Sequence, residues 1–195
     1  MLKEYNIAGF GGQGILYLGQ VLAYSGMLGG KDSTWIPSYG PEMRGGTANC
    51  MVVISSKPVR SPLVYNPDTA IILNQPSLEK YGPKIKPGGT LIVCELVNQE
   101  KPDQDLHVYR VPAKKMAEEL GAPMSLNMVL LGALVAVDTG LDFADIAEAI
   151  RQITPSHRAQ LVDINIRAVQ AGMDYMRHSD VFESRDREVS DLWVR

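Results

Sequence analysis

The sequence predicts an α/β protein, a three-layer α/β/α arrangement with a mixed, mostly parallel sheet and a helical C-terminal third. Three observations lead there. Short apolar runs alternate with helical patterns up to residue 111, and such alternation places helices over a mostly parallel sheet. Beyond Pro112 only helical patterns remain. The 195 residues, 45% hydrophobic and 21% charged, suit a single soluble domain with one large core.

The first strand is residues 5–8, which deliver the chain into Gly9-Phe10-Gly11-Gly12-Gln13-Gly14, and a helix follows over 13–28. Residues 33–36 make the second strand and 48–55 the third. The text VISSKPVRSPLVYNP carries Pro58, Pro62 and Pro67. Proline cannot donate to a ladder, so this stretch reads as a turn with a short edge strand and one antiparallel pair. Residues 69–73 are a strand and 77–81 a short helix; Lys86-Pro87-Gly88-Gly89 is a turn feeding a strand over 90–94, and 106–111 is the last strand.

Helices then run over 113–120, 125–137, 143–152 and 156–176. Gly121, Gly140 and Pro155 stop them, and Ser125, Asp142 and Ser156 offer N-cap oxygens. The helix from Ser125 is apolar almost all round, which fits either a fully buried helix or one facing a partner. Residues 1–177 form one domain. Residues 178–195 are a charged tail with a lone Trp193 and no core pattern, either loose or wrapped on a neighbour.

A net charge of −3 with no basic stretch argues against nucleic acid as a partner. No cationic leader precedes an apolar core, and the longest apolar stretch, 128–137, is far shorter than the roughly 20 residues that span a bilayer. The expectation is a cytoplasmic protein that does not enter a membrane. Cys50 and Cys94 sit in strand-like runs and read as buried free thiols. Without any C-x-x-C, and with His107, His157 and His178 scattered, neither an iron-sulfur cluster nor another metal is expected on this chain.

The glycine-dense turn has the grammar of an anion-binding loop. Glycines permit positive φ and close approach, while the free N–H groups and positive end of the next helix point at one place. Gly9, Gly11 and Gly14 also satisfy the G-x-G-x-x-G dinucleotide pattern. That pattern wants an acid at the end of the second strand to hold the ribose hydroxyls, and the strand ends instead in Pro37-Ser38-Tyr39-Gly40. NAD is therefore disfavoured, and the glycines either hold another anion or merely make a tight turn. Arg44, between Glu42-Met43 and Gly45-Gly46, offers a planar fork for a carboxylate or phosphate. Alternatively it pairs with Glu42 and only fixes the loop. This loop faces the glycine loop if the first two strands are neighbours. The sequence suggests no Ser/His/Asp or Cys/His set, and no glycine-Asp-glycine with a following Asn to hold a diphosphate through magnesium. A ligand loop without catalytic machinery suggests one part of a larger enzyme.

Four segments in order, Gly9-Phe10-Gly11-Gly12-Gln13-Gly14, Tyr39-Gly40-Pro41-Glu42-Met43-Arg44-Gly45-Gly46, Asn127-Met128-Val129-Leu130-Leu131-Gly132-Ala133 and NIRAVQAG ending at Gly172, closely resemble the gamma subunit of the 2-oxoacid:ferredoxin oxidoreductases. The resemblance implies a complex that oxidatively decarboxylates a 2-oxoacid with coenzyme A (CoA) to acyl-CoA and CO2, passing electrons to ferredoxin or another acceptor. It implies thiamine diphosphate, magnesium and iron-sulfur clusters on partner alpha, beta and, where present, delta subunits. It also implies that this chain, inactive alone, packs beside the thiamine site and helps hold CoA. The residues expected at the ligand site are Gly9, Gly11, Gly12, Gln13, Gly14, Tyr39, Glu42, Arg44 and Asn127, with no catalytic residue and no metal ligand among them. The segment WIPSYGPEMRGGTA looks most like the 2-oxoglutarate members, with 2-oxoisovalerate and pyruvate forms close behind. A homodimer is one state open to the isolated chain. The rival readings are a free-standing nucleotide-binding oxidoreductase and a purely structural subunit.

Overall fold

In the computed structural model the described residues are 1–38, 47–97, 105–138 and 140–178. Six strands are present among them: β1 Leu2–Phe10, β2 Asp32–Ser38, β3 Thr47–Ser55, β4 Thr69–Ile72, β5 Thr90–Cys94 and β6 His107–Val111. Six α-helices accompany them: α1 Ile15–Leu28, α2 Gln75–Tyr81, α3 Ala113–Glu119, α4 Leu126–Val137, α5 Phe143–Ile153 and α6 Val162–His178. Apart from the short edge strand expected in the proline-bearing segment, each strand and helix expected from the sequence is found, most with ends shifted by a residue or two. The largest shift is at residues 156–176: Ser156–Leu161 is a separate 3-10 turn, broken by a non-helical Arg158, before α6 begins.

The strands lie in the order β2-β3-β1-β4-β5-β6. β1, β4, β5 and β6 are parallel, whereas β3 runs antiparallel to both of its neighbours. The sheet is thus mixed and mostly parallel, but its antiparallel strand is internal. No edge strand forms in the proline-bearing segment. That segment remains irregular and lies over the sheet, with Val64 buried and its N–H donating to Met51 Sδ. Prolines 58, 62 and 67 explain why: a chain that cannot donate at these positions covers a sheet face more readily than it extends the ladder.

The β1–α1–β2 and β4–α2–β5 connections leave in opposite directions along the sheet, so right-handed crossing puts α1 and α2 on opposite faces. α1 buries Ile15, Leu18, Leu22 and Gly26, one stripe at helical spacing, against β1, β2 and β3. It lies low because a Cβ on Gly19 would collide with Cys50 Sγ and Trp35. α4 packs on β5 and beside α1, with α6 laid outside it. Residues Asn127 to Val135 of α4 are all buried, so its all-round apolar character is met within this chain. The side-chain caps fall on Asn74, which accepts from Ser77 N, and Asp142, which accepts from Ala144 N. Ser125 opens α4 without capping it.

Candidate functional site

The carboxyl ends of β1 and β4 meet the start of α1 at one edge of the sheet, where the chain departs β1 to one side and β4 to the other. A crevice at such a switch point is the usual ligand position in an α/β sheet. β1 is held to β4 there by Leu73 N–H donating to Ala8 O at 2.9 Å. β2 ends at the same edge but is not adjacent to β1, because β3 lies between them. The condition that β1 and β2 be neighbours is therefore not met, while β3, which follows that loop, starts at Thr47 paired with Phe10. A two-strand spacing, about 10 Å, separates the strand ends.

The glycine loop is built by two side-chain amides. Gln13 folds back so that its Oε1 accepts Phe10 N–H at 2.6 Å, and its Nε2 approaches Leu73 O at 3.5 Å. Gly9 must lack a side chain because Gln13, Ile15 and Leu73 occupy the space a Cβ would need. Asn127, 4% exposed on α4, donates from Nδ2 to Gly14 O at 3.0 Å. The same carbonyl accepts Leu18 N–H at 3.0 Å, opening α1. Left-handed backbone falls on Gly12 (φ +91°) and Gly14 (φ +74°); Gly11, where the anion-loop reading placed it equally, does not adopt it. Among the described residues, nothing lies within 4 Å of where a Gly12 Cβ would point, so that side of the loop is open.

α1 begins at Gly14 with no side-chain cap and no acid in its first turn. Its first N–H groups and the positive end of a 14-residue helix therefore carry no side-chain cap and no first-turn acid among the described residues. An anion is the complementary ligand. Of the expected site residues, Gly9, Gly11, Gly12, Gln13, Gly14 and Asn127 come together here. Tyr39, Glu42 and Arg44 lie outside the described residues.

Asn74 was not anticipated. It stands at the carboxyl end of β4 beside the glycine loop, 3% exposed, with Oδ1 capping α2 and Nδ2 unpartnered among the described residues. The signal was legible, an Asn followed by Gln75-Pro76 at a helix start. The two thiols lie near the loop, at Ile15 O and Leu73 O, but burial pushes Cys50 up to about 12 and Cys94 up to about 11, so neither is a nucleophile at neutral pH. Among the described residues no cluster of His, Cys, Asp or Glu could hold a metal, and no helix is long and apolar enough to cross a membrane.

The sequence pattern described as pyruvate ferredoxin/flavodoxin oxidoreductase matches residues 4–175. The chain belongs to that oxidoreductase family. Its relatives include the ketoisovalerate oxidoreductase subunit VorA of Methanothermobacter marburgensis, 40% identical over 172 residues, 88% of this chain but 36% of that one. The 2-oxoglutarate synthase subunit KorC of Methanocaldococcus jannaschii is 38% identical over 159 residues, 80% of this chain and 85% of that one. The chain thus spans about a third of the VorA length and most of the KorC length.

Among solved structures, the gamma subunit of a keto/oxoacid ferredoxin oxidoreductase from Geobacter sulfurreducens superposes with a TM-score of 0.78 at 26% identity, covering 91% of this chain and 99% of that one. The 2-oxoglutarate:ferredoxin oxidoreductase from Magnetococcus marinus, solved with 2-oxoglutarate, coenzyme A and succinyl-CoA bound, superposes with a TM-score of 0.80 at 23% identity, over 90% of this chain and 31% of that one. Within this oxidoreductase family, then, the fold occurs both as a separate gamma subunit and as a section of a longer chain.

Proposed function

We propose that this chain is the gamma subunit of a 2-oxoacid:ferredoxin oxidoreductase and that its glycine loop holds a phosphate of CoA. The observation that carries the reading is the start of α1 behind Gly12 and Gly14, which supplies donors and positive potential with no side-chain cap and no acid in its first turn. CoA brings the matching phosphates, and it is bound in the Magnetococcus marinus enzyme that shares the fold. The chain's own work is binding and orientation. The loop anchors CoA while partner subunits supply thiamine diphosphate and magnesium for decarboxylation and iron-sulfur clusters for electron transfer. The buried, protonated thiols take no part.

For the 2-oxoacid, 2-oxoglutarate is the first choice, because the KorC relative corresponds to this chain over most of its own length. The identity to VorA favours a branched-chain 2-oxoacid as the second reading. The deciding experiment is purification of the native complex, identification of its chains by mass, and CoA-dependent viologen reduction with 2-oxoglutarate, 2-oxoisovalerate and pyruvate in turn. Turnover by the pure chain alone overturns the reading and favours a free-standing oxidoreductase; a KM for CoA unmoved by substitution in the glycine loop overturns it in favour of a structural subunit.

A further inference from the structure

We propose that Asn127 is a positioning residue for the glycine loop, acting from α4 through the Gly14 carbonyl without touching the ligand. The inference rests on the CoA reading above and deepens it. Three observations carry it. Asn127 is 4% exposed, so its amide is spent inside the protein, and its Nδ2 donates at 3.0 Å to the same Gly14 oxygen that accepts the first intrahelical N–H of α1, from Leu18. A Cβ on Gly14 would collide with the Asn127 amide, so the missing side chain at 14 and the amide at 127 are complementary in shape. Finally, α1 has no side-chain cap of its own; what fixes its start comes from another helix.

Asn127 is itself fixed. Immediately before α4, the Ser125 hydroxyl donates to Asn165 Oδ1 of α6 at 2.8 Å, both residues being buried. The start of α4 is thereby tied to α6, and the start of α1 to α4. Since Gly14 sits in left-handed backbone at φ +74°, a free glycine there would exchange among several conformations. Ordering it before the ligand arrives removes that cost from binding. The N–H groups of the loop, not Asn127, are then the contacts offered to a phosphate.

The test uses Asn127→Asp, which keeps the shape and removes the donor, with Asn127→Ala in reserve should the buried carboxylate prevent folding. Hydrogen exchange is followed on the full chain without CoA, and steady-state kinetics on the complex. The expected result is exchange about ten-fold faster at the amides of residues 11–17 with β1 and α4 unchanged, and a KM for CoA raised about ten-fold with a much smaller change in kcat, the size of one lost hydrogen bond. Unchanged loop exchange with a raised KM would mean that Asn127 contacts CoA directly, and overturns the proposal. Faster exchange throughout with an unchanged KM would make Asn127 a residue of the fold alone, and overturns it too. Gly12→Ala separates the two layers of the argument. If it raises the KM for CoA while the Asn127 variants do not, only the positioning role fails; if no variant moves that KM, the CoA reading fails and the positioning role falls with it.

Discussion

Gly132 of α4 and Gly172 of α6 form a reciprocal contact: a Cβ on Gly132 would overlap the Val169 carbonyl, and one on Gly172 would overlap the Val129 carbonyl. Each helix thus occupies with its backbone the space that the other leaves by lacking a side chain. Such close approach is what a small residue at a crossing permits, and it sets the depth at which α4 is sandwiched between α6 and the sheet.

Gly132→Ala is therefore expected to destabilise the chain by about 3 kcal/mol, since the obstruction is backbone and cannot rotate away. Urea unfolding of the full chain measures it. Gly121→Ala is the comparison. Gly121 is left-handed at φ +70° but has nothing within 4 Å of its Cβ position among the described residues, so it should cost only the backbone strain of about 1 to 2 kcal/mol. Equal effects at the two sites would show that the crossing relaxes freely.

Tyr5 donates its hydroxyl to Asp138 Oδ2 at 2.8 Å, both groups being buried, while Lys3 Nζ lies 3.7 Å from the same oxygen and Gly140 N–H donates to Oδ1 at 2.9 Å. This ties the end of α4 to β1. Tyr5→Phe keeps the ring's packing and removes one bond to a charged group, for an expected loss of about 2 kcal/mol. A change in the urea midpoint too small to resolve would mean that Lys3 and Gly140 alone satisfy the carboxylate.

Stability should fall in alkali, and Cys50 should contribute to the fall. Its thiol is raised from 9.0 to about 12 by burial, partly offset by Trp35 and the Gly19 backbone. The folded state therefore keeps a proton that the unfolded chain releases. Stability from this group is complete below pH 9 and is lost as pH climbs toward 12, at up to about 1.4 kcal/mol per pH unit. Cys50→Ala should flatten the curve between pH 9 and 11 despite lowering stability at pH 7. A slope identical to that of the wild type would show that the thiol does not titrate in this window.

Gly12→Ala and Arg44→Lys probe the two segments proposed to meet the ligand. A methyl on Gly12 points into open space, so the fold should survive with about 1 to 2 kcal/mol of strain while the KM for CoA rises about ten-fold. Arg44→Lys keeps the charge and loses the planar fork. If Arg44 grips an anion or a partner's carboxylate, viologen reduction by the reconstituted complex should drop while the melting temperature of the chain holds. Wild-type values in both would leave only an exposed pair with Glu42, worth about 1 kcal/mol or less.

What the sequence determined by itself was local. Residue periodicity placed the six strands and six helices of the described residues, and the spacing of Gly9, Gly11, Gly12 and Gly14 after an apolar run located the glycine loop, because both signals live within a few consecutive residues. The tertiary structure alone decided matters that depend on who lies beside whom. It placed β3 between β1 and β2, so that Thr47 of β3, not the end of β2, pairs with Phe10 of the glycine loop. It put left-handed backbone on Gly12 and Gly14 and not on Gly11, turned Ser125 from a cap into a partner of Asn165, and brought Asn127 across more than a hundred residues to the Gly14 carbonyl. Strand order and buried amide pairings join residues far apart in the chain, and they are fixed by the packing of the whole core, which no window of sequence contains.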